Sequence, residues 1–242
     1  LSLISGENIT SNDLWFLYNE YYIGGTNIFN TASSADGENF TFECMRMFGL
    51  SEDYMVADPS IVLLENGSYR IYFLYVAKSE LPEGQGDPAA AKNHSIGCAY
   101  SPDGVNFTFE GICYSGAYGE GLSDPEVFKT GEYYRLYLHP TGTISSGNLP
   151  FRYVNSTDGG RTFTGTVVWI QIEHMWDVAG CGCRIVHTET GYRIFFGWNS
   201  STASAFSSDG VNWVFDEMPK VGGRGYMAAV KFKGIYFLYF HA

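Results

Sequence analysis

Apolar and polar positions alternate along this chain in short runs, divided by turns rich in Gly, Asp, Asn and Ser. Period-two alternation of that kind predicts strands, not helices. The runs also repeat. A polar turn, Ser-x-Asp-Gly, followed by an aromatic strand occurs four times: at Ser34-Ala35-Asp36-Gly37, Ser101-Pro102-Asp103-Gly104, Ser156-Thr157-Asp158-Gly159 and Ser207-Ser208-Asp209-Gly210. Gly tolerates positive φ and Asp bonds back onto the turn backbone, so each copy predicts a hairpin. Upstream of these lies an aromatic-rich strand: Tyr69-Arg70-Ile71-Tyr72-Phe73, Tyr134-Arg135-Leu136-Tyr137 and Tyr192-Arg193-Ile194-Phe195-Phe196. Looser copies stand near the two ends, at Trp15 to Tyr18 and Tyr236 to Tyr239. An apolar strand precedes four of them: Pro59 to Leu64, Pro125 to Phe128, Cys183 to His187 and Met227 to Phe232.

Each unit therefore reads as four strands joined by short turns, recurring at roughly 50-residue intervals, which is the signature of a propeller blade. Five such units fill 242 residues. The expected fold is all-β: a five-bladed β-propeller of four-stranded antiparallel blades, one domain spanning 1–242. The last unit shows only its inner strands. Either the N-terminal segment at Leu1–Ser5 completes it, or its outer strands are missing. One short helical turn is expected near Asp87–Lys92.

Composition narrows the function. Aromatics reach 17%, charged residues only 17%, and there are 29 Gly, a mix unlike disordered or coiled-coil chains. The formal charge of −12 repels phosphate backbones and anionic lipid, so neither nucleic acid nor membrane is an expected partner. The chain opens at Leu1 without an initiator Met, which reads as a processed or trimmed start. Low charge and seven Asn-x-Ser/Thr sites (Asn8, Asn39, Asn66, Asn93, Asn106, Asn155, Asn199) suit an extracellular or periplasmic, secreted protein. Asn39 and Asn106 fall inside the repeated turn, which accounts for them without a glycan. The five Cys lack metal-like spacing. They read as buried thiols, with a Cys98–Cys113 bridge open and a Cys181–Cys183 bridge strained.

In a propeller the innermost strands line the axis, and residues at their starts converge on one funnel. Two acids stand there: Asp58 in Ala57-Asp58-Pro59-Ser60 and Asp124 in Ser123-Asp124-Pro125-Glu126. The Pro fixes the backbone and cannot donate to the ladder, so each Asp is expected at a rigid mouth where its strand begins. Two carboxyls on one rim are what glycoside hydrolysis requires, one to protonate the leaving oxygen and one to activate water or attack the sugar.

The two Asp-Pro motifs, each followed by a Tyr-rich strand and a Ser-x-Asp-Gly hairpin, resemble the five-bladed glycosidases of glycoside hydrolase families 43 and 32. The repeat pattern covers the whole chain; the specific motifs are the Asp-Pro pairs. The resemblance implies that Asp58 acts as base or nucleophile on a furanoside or pentoside of an oligo- or polysaccharide. Asp124 would then orient it and tune its protonation. The third acid of the family, a Glu, has no matching motif before Cys183. Asp177, just upstream of the Cys183 strand, and Glu120, four residues before Asp124, are the two candidates for the acid, and neither matches a family motif. If Trp15 to Tyr18 belongs to a first blade, Asp58 stands on the second, and the resemblance then implies that the base comes from the N-terminal segment, where Glu7 and Asp13 are the acids before Trp15. The reaction needs no organic cofactor, and a structural metal on the axis stays open. The alternative is a non-catalytic, lectin-like carbohydrate-binding propeller. Either is expected as a monomer.

Other polar residues have plainer readings. Asp36, Asp103, Asp158 and Asp209 are turn residues. Arg70, Arg135 and Arg193 recur at one repeat position and read as blade-to-blade pairings, not as the Arg triad of a sialidase, a fold that needs six blades. His139 and His241 follow equivalent strands. Trp176 and His174 form a candidate sugar-binding wall beside Asp177, and Arg224 and Tyr226, ahead of the last inner strand, are candidates for contacting ligand hydroxyls. No phosphate loop, zinc signature or nucleophile elbow occurs.

Overall fold

The computed structural model describes residues 2–5, 14–20, 28–43, 45–84, 86, 90–117, 121–141, 152–170, 172–173, 183–198, 201–216 and 227–240. These residues form twenty strands in five sheets. The first sheet is β1 (Ser2–Ser5), β2 (Leu14–Glu20), β3 (Ile28–Ser34) and β4 (Thr41–Glu43), in sequence order. The second takes β6 (Tyr54–Leu63), β7 (Tyr69–Ala77), β8 (Ser95–Ser101) and β9 (Asn106–Ser115), with β5 (Arg46–Phe48) added in parallel to its outer edge. The third is β10 (Gly121–Thr130), β11 (Tyr133–Thr141), β12 (Arg152–Ser156) and β13 (Val168–Trp169). The fourth is β15 (Cys183–His187), β16 (Tyr192–Trp198), β17 (Ser201–Ser207) and β18 (Trp213–Phe215), with β14 (Ile172–Glu173) parallel on its edge. The fifth pairs β19 (Met227–Phe232) with β20 (Ile235–Phe240).

The first strands of the five sheets ring a common axis. β6 lies against β1 and β10, β10 against β15, β15 against β19, and β19 against β1. β1 is thus the inner strand of the first sheet and does not complete the last one, which has two strands among the described residues. A short helical turn occurs at Lys78–Glu80; of the expected one at Asp87–Lys92, residues 87–89 lie outside the described ones and Ala90 has the conformation of a helical turn. Among the described residues no helix is long and apolar enough to cross a membrane.

The repeated turn explains both the hairpins and the joints between blades. In each copy a Ser hydroxyl accepts the amide of a Gly with positive φ at 2.9 Å: Ser34 from Gly37, Ser101 from Gly104, Ser156 from Gly160 and Ser207 from Gly210. Asp36, Asp103, Asp158 and Asp209 collect the following amides, as turn residues should. The aromatic strand of one blade then reaches the turn of the next. The Tyr72 hydroxyl donates to the Gly160 carbonyl (2.8 Å), Tyr137 donates to that of Gly210, and Tyr239 to that of Gly37 (2.6 Å). The last of these ties the fifth sheet to the first and closes the ring.

Arg70 donates to the Gly159 carbonyl (2.6 Å) and Arg135 to that of Gly210 (2.8 Å), the expected blade-to-blade pairing. Arg193 departs from it and pairs with Asp216 inside its own blade. Apolar side chains fill the spaces between the sheets. Tyr72, Ile96, Leu122, Leu136 and Phe163, for example, join the second sheet to the third.

Candidate active site

The inner strands of the second and third blades share one irregularity. Pairing in β6 runs from Ala57↔Leu74 to Ser60↔Tyr72, so Asp58 and Pro59 together face Phe73. In β10 it runs from Ser123↔His139 to Glu126↔Tyr137, so Asp124 and Pro125 face Leu138. Each Asp-Pro is therefore a β-bulge within a ten-residue strand, not the beginning of one. Pro cannot donate to the ladder, and the extra residue is absorbed by a local kink that re-aims the preceding side chain. The backbone pays in conformation: Asp58 has φ 51° and Asp124 has φ 46°. The one other non-Gly residue with positive φ among the described residues is Lys233, in the β19–β20 turn. Strain of this kind concentrates where a side chain must be held in one place.

The two carboxyls meet across the blade boundary. The Asp124 amide donates towards Asp58 Oδ2 at 3.5 Å. Asp124 is 7% exposed, whereas Asp58 is half-buried. Burial, and then the neighbouring Asp124 carboxylate, push Asp58 up to about 7 from its usual 3.8. Both effects disfavour a second negative charge beside Asp124. Ser123 Oγ lies 3.4 Å from Asp124 Oδ2 and 3.4 Å from His139 Nδ1, placing His139 behind the pair. His94 Nδ1 lies 2.7 Å from the Leu122 amide and 2.6 Å from its carbonyl, clamping the strand two residues ahead of Asp124.

Below the pair is a polar layer that the sequence reading did not single out. Glu126 is 8% exposed. Its Oε2 accepts from Ser60 Oγ (3.2 Å) and lies 3.7 Å from Arg184 Nη1, while Oε1 accepts the Ile185 amide (3.2 Å). Burial raises its protonation; Arg184, the Ile185 amide and Ser60 oppose that rise. The available signal was a polar residue directly ahead of an apolar stretch in each of three inner strands: Ser60 before Ile61, Glu126 before Val127 and Arg184 before Ile185.

Of the candidates chosen from sequence, Asp58 and Asp124 come together. Asp58 stands on the second blade, which settles the register in favour of Trp15 to Tyr18 belonging to the first. Asp177, Glu120, Trp176, His174, Arg224 and Tyr226, with Glu7, Asp13 and His241, lie outside the described residues. Among the described residues no three His, Cys, Asp or Glu are grouped to hold a metal ion. Cys98, Cys113 and Cys183 are buried free thiols.

No protein-family model and no curated protein sequence matches the chain. Solved structures do. A family 43 arabinoxylan arabinofuranohydrolase from Bacillus subtilis superposes with a TM-score of 0.68 at 14% identity, over 98% of this chain and 57% of its own. The arabinanase Arb43A of the same organism gives 0.64 at 14% identity, over 96% and 84%. An α-L-arabinofuranosidase from Clostridium thermocellum gives 0.63 at 16%, over 98% and 80%. The fold is a β-propeller, with five sheets among the described residues. The propeller spans little more than half the length of the first of these relatives, and at such identities the likeness speaks for architecture alone.

Proposed function

We propose that this propeller is a glycoside hydrolase that cleaves furanosides or pentosides of oligo- or polysaccharides, with Asp58 and Asp124 as reacting and tuning carboxyls. The observation that carries the reading is the pair itself: two Asp side chains from neighbouring inner strands, each aimed by a strained Asp-Pro bulge, one still holding a proton near neutrality. A carboxylate whose protonation midpoint lies near 7 is a far stronger base than a free one, and base catalysis works best when that midpoint matches the working pH. Asp58 then activates water or attacks the anomeric carbon, depending on the stereochemical course. Asp124 holds it in place through its amide and strengthens it through its charge. Proton donation to the leaving oxygen falls to Asp177 or Glu120. The activities named for the structural relatives, arabinofuranosidase and arabinanase, favour pentose-containing substrates.

A second reading, carbohydrate binding without catalysis, has one observation in its favour. The further carboxyl between the inner strands, Glu126, is enclosed by Ser60, the Ile185 amide and Arg184, which occupy both of its oxygens with protein partners. The deciding experiment incubates the protein with arabinan, arabinoxylan and galactan oligosaccharides and follows released sugar, with Asp124→Asn in parallel. Release by the parent protein that is lost in the folded variant supports the hydrolase. Oligosaccharide binding without release supports the binding module and overturns the hydrolase.

A further inference from the structure

The layer under the rim carboxyls takes no part in the reaction above, yet it is built from one position of three consecutive blades. Ser60, Glu126 and Arg184 pair across their own sheets with Tyr72, Tyr137 and Phe195, which makes them register equivalents. Ser60 and Glu126 each follow the site Asp of their strand by two residues. We propose that Ser60, Glu126 and Arg184 are positioning residues that lock the two Asp-bearing strands together at the axis and govern the charge carried by the Asp58–Asp124 pair. This rests on the reading of that pair as the reacting groups.

The locking follows from the bonds. Ser60 Oγ donates to Glu126 Oε2 and accepts the Val127 amide at 3.1 Å, joining the second blade to the third immediately beyond both bulges. Glu126 in turn takes the Ile185 amide and faces Arg184, joining the third blade to the fourth. Arg184 also donates to the Cys183 carbonyl at 2.7 Å, which fixes its head group. A bulge can slide along a ladder. Here the residue that resumes pairing after each bulge is tied to the neighbouring blade, so neither can shift without breaking the layer.

The charge balance follows from the signs. Asp124 of β10 and Arg184 of β15 act on Asp58 directly. Behind them, Glu126 of β10 faces Arg184, the buried Cys183 thiol of β15 feels Glu126, Arg184 and Asp124, and His139 of β11 reaches Asp124 through Ser123. β1 carries no titratable side chain, and Lys231 of β19 lies over the Tyr236 ring. Arg184 favours the ionised form of Asp58. Glu126, 3.7 Å from Arg184, offsets that pull when it is ionised. Removing one member of a near-neutral buried pair therefore drives Asp58 in one direction, and removing the other drives it in the opposite one.

The test is a carbon NMR titration of the whole protein labelled at Asp side-chain carboxyls, with the Asp58 signal assigned by its loss in Asp58→Asn. Glu126→Gln is expected to lower the Asp58 midpoint by about half a pH unit or more, and Arg184→Met to raise it by a similar amount. Arg184→Lys should stay near the parent value, and the Glu126→Gln/Arg184→Met double variant should return towards it. Should Arg184→Met fail to fold, Glu126→Gln and Arg184→Lys still decide the matter. Single variants that leave the midpoint in place, or move it in the same direction, overturn the proposal. The readout needs no substrate, so failure to hydrolyse any sugar counts against the hydrolase and leaves the titration result standing.

Discussion

The backbone amide of Asp124 points at the carboxylate of Asp58 across the joint between two blades, at 3.5 Å, and both residues sit in the left-handed region of backbone space. One cause lies behind both facts. A Pro in the next position takes a donor out of the ladder, the strand bulges, and the Asp before it turns towards the axis. Two identical bulges side by side bring two acids together at a partly buried position, and Asp58 responds by holding its proton.

That response makes stability depend on pH. The folded midpoint of Asp58, about 7, lies above the ordinary value of 3.8. The native state therefore binds more protons than the unfolded one between these values. The stabilisation is fully present below about pH 4 and is lost as pH rises through 7. Urea midpoints are expected to fall between pH 5 and pH 8 in the parent protein, with a smaller fall in Asp58→Asn. Equal slopes for the two would contradict the shift.

At the acid end the sign reverses. The four turn carboxylates accept several amides each and are held below the usual range, Asp158 at about 2. Their contribution is present above about pH 4 and lost as pH falls through the lowered midpoints. Asp209→Asn should therefore shrink the loss of stability between pH 4 and pH 2, as followed by circular dichroism.

The tyrosine joints between blades should each be measurable. Tyr72→Phe leaves the buried Gly160 carbonyl without its hydroxyl partner, and Tyr239→Phe does the same for Gly37. Each is expected to destabilise by about 1–2 kcal/mol in urea titrations. A larger effect of Tyr239→Phe would show the closing joint to be the weak one, since the fifth sheet has two strands among the described residues.

Gly160 has a second constraint beyond its positive φ of 82°: an added Cβ would stand 2.4 Å from the Tyr72 hydroxyl. Gly67 has nearly the same φ, 81°, with nothing within 4 Å. Gly67→Ala should show backbone strain alone, about 1 kcal/mol. Gly160→Ala should exceed it by about 1–3 kcal/mol through overpacking. Equal losses would mean that the joint yields freely.

Much of this architecture is legible in the sequence because it repeats. Ser-x-Asp-Gly fixes four hairpins through local bonds alone, and the Arg and Tyr positions of the aromatic strands mark the joints. The Asp58–Asp124 meeting is legible for the same reason, since two identical motifs on neighbouring inner strands must converge. The bulges were not: Asp-Pro reads equally well as the start of a strand, and only the cross-strand partners show that pairing resumes on both sides of it. Arg193 keeps an acid of its own blade, Asp216, as Arg70 keeps Glu110, but the fifth sheet, with two strands among the described residues, offers it no Ser-x-Asp-Gly turn. The Glu126–Arg184 contact depends on register between blades, which no local pattern encodes.

The most direct measurement is the initial rate on a p-nitrophenyl α-L-arabinofuranoside and on the matching β-D-xyloside, across pH 5 to 9, for the parent protein and for Asp58→Asn. The expected result is turnover by the parent with an ionisation near 7 in its pH profile, reduced by about 10²–10⁴-fold in the folded variant. Turnover that survives in Asp58→Asn with its pH profile unchanged would contradict the central claim.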